Sequence, residues 1–100
     1  MIFEITQGDK QIQAKVSGRL DTPAAVEAQK EMTPLFDNAE QEIILDCADL
    51  QYIASSGLRL FLMLRKASAA KGGNVIIENV NEEIRKVFEV TGFLSLFEIR

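Results

Sequence analysis

The segment Asp49-Leu50-Gln51-Tyr52-Ile53-Ala54-Ser55-Ser56-Gly57-Leu58-Arg59 narrows most sharply what this chain can fold into. A strand-like apolar stretch ends there and a helix-like one begins, with Ser55-Ser56-Gly57 as the turn between them. A strand feeding a helix through so short a connection is the building unit of α/β folds. The helix start also carries a chemical consequence. Its first N–H groups lack intrahelical partners and sum to a partial positive charge, so a serine there can cap the helix or carry a phosphate without melting it. Ser55 is therefore a candidate switch, and Ser56 can take the cap in its place.

The rest of the chain fits the same unit. Phe3 and Ile5, then Ile12, Ala14 and Val16, alternate with polar residues on either side of Gly8-Asp9-Lys10, which predicts an antiparallel hairpin with Gln11, Gln13 and Lys15 facing water. Thr22-Pro23 reads as an N-cap and first helical residue, and Asp21 as the end of the second strand that helps cap this helix. Ala25, Ala28, Met32 and Leu35 follow at helical spacing until Pro34 ends or kinks the helix. Ile43-Ile44-Leu45 is a short apolar run of the kind found in a strand covered on both faces. A second helix is predicted from about Ser56 to Ala70, burying Leu60, Phe61, Leu64 and Ala67 and stopping at Lys71-Gly72-Gly73. Val75-Ile76-Ile77 makes another strand. Asn81 caps a third helix with Ile84, Val87, Phe88 and Thr91 along one stripe and Gly92 past its end, and a short strand is expected around Phe97 to Ile99. The order β-β-α-β-α-β-α-(β) predicts an α/β fold with a mixed sheet and helices packed on one side. One hundred residues, 47% of them hydrophobic, suit a single domain over 1–100.

The Asp49–Arg59 segment resembles the signature of STAS domains, the module of bacterial anti-sigma factor antagonists and of sulfate-transporter tails. Gly18-Arg19-Leu20-Asp21 resembles that family's entry into its first helix, and Val87-Phe88-Glu89-Val90-Thr91-Gly92-Phe93 its last helix and glycine stop. In members that act as anti-sigma factor antagonists, the phosphorylated hydroxyl lies two residues before the motif glycine. The resemblance places it at Ser55, with Ser56 as the alternative. Ala54 stands where many members carry Asp or Ser. What the resemblance implies is a partner-switching module: unphosphorylated, it binds an anti-sigma factor with serine kinase activity; phosphorylated, it is released, and a serine phosphatase resets it. It implies a partner surface drawn from Asp21 and the Ala54, Ser55, Ser56, Gly57, Leu58 and Arg59 motif. The other role open to such a domain is that of a non-phosphorylated accessory subunit of a membrane lipid-transport complex.

Composition removes other classes. A net charge of −4 with no basic block argues against nucleic acid. The opening Met1-Ile2-Phe3-Glu4 lacks the features of a secretory signal, and the apolar run Leu60 to Leu64 is too short to enter a bilayer, so a cytoplasmic protein is expected. The chain has no histidine, and Asp46 and Asp49, read as flanking the loop, are more simply solvated or bonded to loop N–H groups than metal ligands or an acid–base pair. No enzyme, cofactor or metal is expected. Cys47, the single cysteine, reads as a small buried hydrophobe, and Gly72-Gly73 follows a helix rather than opening one, unlike a phosphate loop. Leu62 and Met63 fall on the flanks of the second helix beside Arg59 and Lys66, which suggests a partner surface continuous with the Ser55 turn.

Overall fold

The computed structural model describes residues 2–100. Strands β1 (Phe3–Gln7) and β2 (Gln11–Leu20) form the antiparallel hairpin, with Phe3 opposite Val16 and Gln7 opposite Ile12. Helix α1 (Thr22–Glu31), a short α2 (Thr33–Asp37), β3 (Glu42–Ile53), α3 (Ser55–Ala70), β4 (Asn74–Glu78), α4 (Glu82–Thr91), a single turn α5 (Phe93–Leu96) and β5 (Glu98–Ile99) follow. The five strands lie in the order β1-β2-β3-β4-β5. Strands β2 to β5 run parallel to one another.

This order explains the layering. Each parallel strand is added on the same side of the one before, and crossovers are right-handed, so every helix falls on the same face of the sheet. The core between sheet and helices collects Phe3, Ile12, Ala14, Val16, Leu20, Ile43, Leu45, Leu50, Leu60, Phe61, Leu64, Ile77, Ile84 and Phe88. The other face carries Gln11, Gln13 and Lys15 to solvent, as the alternation requires. Ile44 and Ile76 also lie on that open face, outside the main core. They are buried there although no helix covers them, beside Gln13 and Glu98 in register. The strand read as covered on both faces is thus covered by helices on one and by neighbouring side chains on the other.

Several boundaries differ from the sequence reading, each for a local reason. Of the two residues read as capping α1, Asp21 is the N-cap and Thr22 is the first helical residue: the Asp21 Oδ1 accepts from the Ala24 N–H at 3.0 Å. The helix then stops at Glu31, and Met32 and Leu35 belong to the break and to α2. Pro34 cannot donate to the Lys30 carbonyl four residues earlier, and the Thr33 hydroxyl donates to it instead at 2.8 Å. The strand seen as Ile43–Leu45 is twelve residues long, Glu42–Ile53. Its pairing with β2 shifts register between Lys15 and Ser17 and again between Gly18 and Arg19, where Gly18 has φ +79. Such bulges break the two-residue alternation and hide a strand from a pattern reading. Asp46 and Asp49 consequently sit within β3 rather than in a loop. Asp49 Oδ2 pairs with Lys15 Nζ at 3.1 Å, and this hydrogen bond raises the lysine's pKa. Asp46 Oδ1 accepts from the Ala48 N–H and from Asn79 Nδ2, both at 3.1 Å.

The end of the chain follows expectation more closely. Asn81 caps α4 through the Ile84 N–H at 2.9 Å, and Gly92 ends it in the left-handed conformation. Thr91 is exposed rather than in the buried stripe, its hydroxyl donating to the Val87 carbonyl. Cys47 lies inside β3, fully buried, with its thiol pushed up to about 12 by burial and then by the nearby Asp46 charge. It is an inert packing residue.

Candidate functional site

The parallel strands β2 and β3 end together. The Ala54 N–H donates to the Leu20 carbonyl at 2.9 Å, so the chain leaving β3 is tied to the end of β2 before it turns into α3. No separate turn intervenes. Ser55 is already the first residue of α3, and its N-cap is Ala54 in extended geometry (φ −89, ψ 171), with no side-chain hydrogen bond to the helix. Neither serine is the cap, which corrects both capping assignments made from sequence. The reason is phase: the strand continues to Ile53, and the single residue left to reverse the chain is Ala54, whose methyl accepts nothing.

Gly57 is what allows this approach. It is buried in the first turn of α3, and a Cβ there would lie 2.7 Å from Leu20 Cγ and 2.9 Å from Ile53 Cγ1. With hydrogen in that place, the helix start rests directly on the ends of β2 and β3. Leu58 is half-buried against the core, while Ser55 and Arg59 face outward one helical turn apart. Ser56 turns toward α1, and its Oγ donates to Thr22 Oγ1 at 3.3 Å. That contact places the α1 start, with its Asp21 cap, beside the α3 start.

Of the residues singled out from sequence, Asp21, Ala54, Ser55, Ser56, Gly57, Leu58 and Arg59 therefore gather at one end of the molecule, where α1 and α3 begin. Leu62 does not belong to an exposed flank. It is half-buried and packs on the core, whereas Met63 is 39% exposed and lines a groove between the helices. Ala67, expected to point inward, is only half-buried, and Ser68 takes the fully buried position. Two residues at this end were not singled out. The Arg19 guanidinium lies 4.4 Å from the Tyr52 ring centroid, and the two are paired across β2 and β3. An exposed aromatic in the signature segment was the available signal.

The site is suited to binding and modification. Ser55 is exposed at a helix end that has no side-chain cap, where a negative group is favoured by the N–H groups and the helix dipole. The missing cap is testable. Ala54→Asp supplies an acceptor and is expected to raise stability by about 1 kcal/mol, read as a later denaturation midpoint.

No cluster of three or more His, Cys, Asp or Glu residues capable of holding a metal ion occurs among the described residues. No helix there is long and apolar enough to cross a membrane.

Comparison with known proteins finds relatives in sequence and solved structures of the same fold. The anti-sigma-B factor antagonist of Staphylococcus aureus is 30% identical over 97 residues, covering 97% of this chain and 90% of that protein. Among solved structures, a candidate anti-sigma factor antagonist from Thermotoga maritima superposes with a TM-score of 0.86 at 20% identity, covering 97% of this chain and 84% of the other. SpoIIAA of Bacillus in its phosphorylated form gives a TM-score of 0.72 at 22% identity, covering 98% and 90%. The family model of the STAS domain matches residues 3–100, and with that match this chain belongs to the STAS domain family.

Proposed function

We propose that this chain is an anti-sigma factor antagonist that binds an anti-sigma factor when Ser55 is unmodified and releases it when Ser55 is phosphorylated. The observation that carries the proposal is the exposed Ser55 hydroxyl on the first residue of an uncapped helix. The relationship to the Staphylococcus aureus antagonist supports it, as does the occurrence of a phosphorylated form among proteins of this fold. The partner surface consists of Asp21, the Ala54–Arg59 segment and the flank of α3 at Met63, with Leu62 acting mainly through packing.

The physics of such a switch is local. A phosphate adds about −1.5 to −2 charges, which the helix end tolerates and a partner interface does not, because burying that charge is costly. The fold persists while the docking surface changes sign. The kinase is the anti-sigma factor itself and a serine phosphatase restores the hydroxyl. The chain needs no catalytic apparatus of its own, no cofactor and no metal, and it acts in the cytoplasm where sigma factors work.

The test is to incubate the chain with ATP and a purified candidate anti-sigma factor with serine kinase activity, and to map the product by mass spectrometry. One phosphate is expected on Ser55, and Ser55→Ala should abolish labelling while keeping partner binding. Labelling that survives Ser55→Ala but is lost in Ser56→Ala would transfer the role to Ser56.

A further inference from the structure

Helix α3 carries Arg59, Arg65 and Lys66 and no acidic residue, in a chain whose net charge is −4. Its cations are not spread evenly. Around the helix axis Arg59 and Lys66 lie only about 40° and 20° from Ser55, and both are exposed. Arg65 is turned away, its Nε donating to the Leu96 carbonyl at 2.7 Å. Beside this basic strip a groove of about 490 Å³ opens between α1, α2 and α3, lined by Val26, Gln29, Lys30, Thr33, Phe36 and Met63. Val26 is 61% exposed and Met63 39%. Lys30 at its rim pairs only loosely with Glu27, at 3.7 Å and with both side chains mostly in water, a contact of little energetic weight. The groove and the switch share the same two helices, since α1, which lines the groove from Val26 on, begins at Thr22, in contact with Ser56.

We propose that this groove and the basic strip of α3 together seat an acidic segment of the anti-sigma partner. One apolar side chain of that segment fills the space between Val26, Phe36 and Met63, and its carboxylates face Arg59, Lys66 and Lys30. Complementarity selects such an occupant: the face is apolar at its centre and cationic at its rim, on a molecule that is otherwise acidic. The inference rests on the partner-switching reading and adds to it the sign of the partner and the reason for release. A phosphate on Ser55 sits one turn before Arg59, where it neutralises the arginine and confronts the incoming carboxylates with like charge. No change of fold is required.

The experiment titrates the unphosphorylated chain with the purified anti-sigma kinase that labels Ser55. Between about 0.05 and 0.5 M salt the affinity is expected to fall by about tenfold or more, since charged rims act through screened attraction. Val26→Glu and Lys66→Glu are each expected to weaken binding about tenfold or more, as replacements at the centre and rim of a contact do. Their melting curves should match wild type, both positions being exposed. Lys71→Glu, the same charge change beyond the end of α3, should bind as wild type does. Salt-independent binding, unaffected Val26→Glu and Lys66→Glu variants, or equal weakening by Lys71→Glu would overturn the seat while Ser55 labelling leaves the switch standing. Self-association of this chain that Val26→Glu abolishes would assign the groove to a second copy and overturn it as well. Absence of both binding and labelling would remove the two readings together.

Discussion

Gly73→Ala is expected to destabilise the protein by about 3 kcal/mol, the upper part of the range for overpacked interiors. Gly73 follows the end of α3, its N–H donating to the Ser68 carbonyl at 2.8 Å. A Cβ there would overlap the Ala39 carbonyl oxygen and lie 2.7 Å from Ser68 Oγ and 2.9 Å from the Gln41 carbonyl. Two of these are backbone atoms in the connection between α2 and β3, which cannot swing aside as a side chain can. The neighbouring Gly72 is the control. It has φ +77, and a Cβ there would meet nothing within 4 Å, so Gly72→Ala incurs only the left-handed penalty, about 1 kcal/mol. Chemical denaturation of the two variants ranks them. A Gly72→Ala variant less stable than Gly73→Ala would contradict the close approach of these two segments.

The second large effect lies in α3. Leu64 is fully buried in the core, and Leu64→Ala is expected to remove about 2–5 kcal/mol, the transfer and cavity terms together. Met63, one residue earlier and 39% exposed, should accept glutamate with a change within about 0.5 kcal/mol, as exposed positions do. Met63→Glu should nonetheless weaken the anti-sigma complex, because the charge enters the groove that the partner fills. Leu62→Glu should fall between the two, its side chain being only partly buried where it packs on the core. Denaturation midpoints and partner titrations of the three variants separate folding from binding. If Met63→Glu unfolds as readily as Leu64→Ala, the groove wall is core and the interface lies elsewhere.

The contrast between Leu62 and Met63 shows where periodicity stops being informative. Both fall beside Arg59 and Lys66 on a helical wheel, and a wheel assigns them the same exposure. The distinction arises because α1 and α2 leave space over Met63, whereas Leu62 meets the core. A one-dimensional pattern records the direction of a side chain, not which other element packs against it. The same limit explains the cap. Serine at a helix start is the favoured choice by propensity, yet here the strand runs further than its apolar run suggests, and Ala54 takes the position.

The α/β character, the hairpin, the Asn81 and Gly92 boundaries of α4 and the position of Ser55 at the start of a helix follow from the amino-acid sequence alone, because each depends on contacts within a few residues or on a recurrent local motif. The length of β3 did not, since its bulges arise only where it meets β2 and break the alternation that would reveal it. Nor did the α1–α3 groove or the Ser56–Thr22 contact, which join residues far apart in the chain. Local hydrogen bonding and alternation are written in neighbouring residues, whereas the shape of a surface between two helices exists only once packing has set their distance.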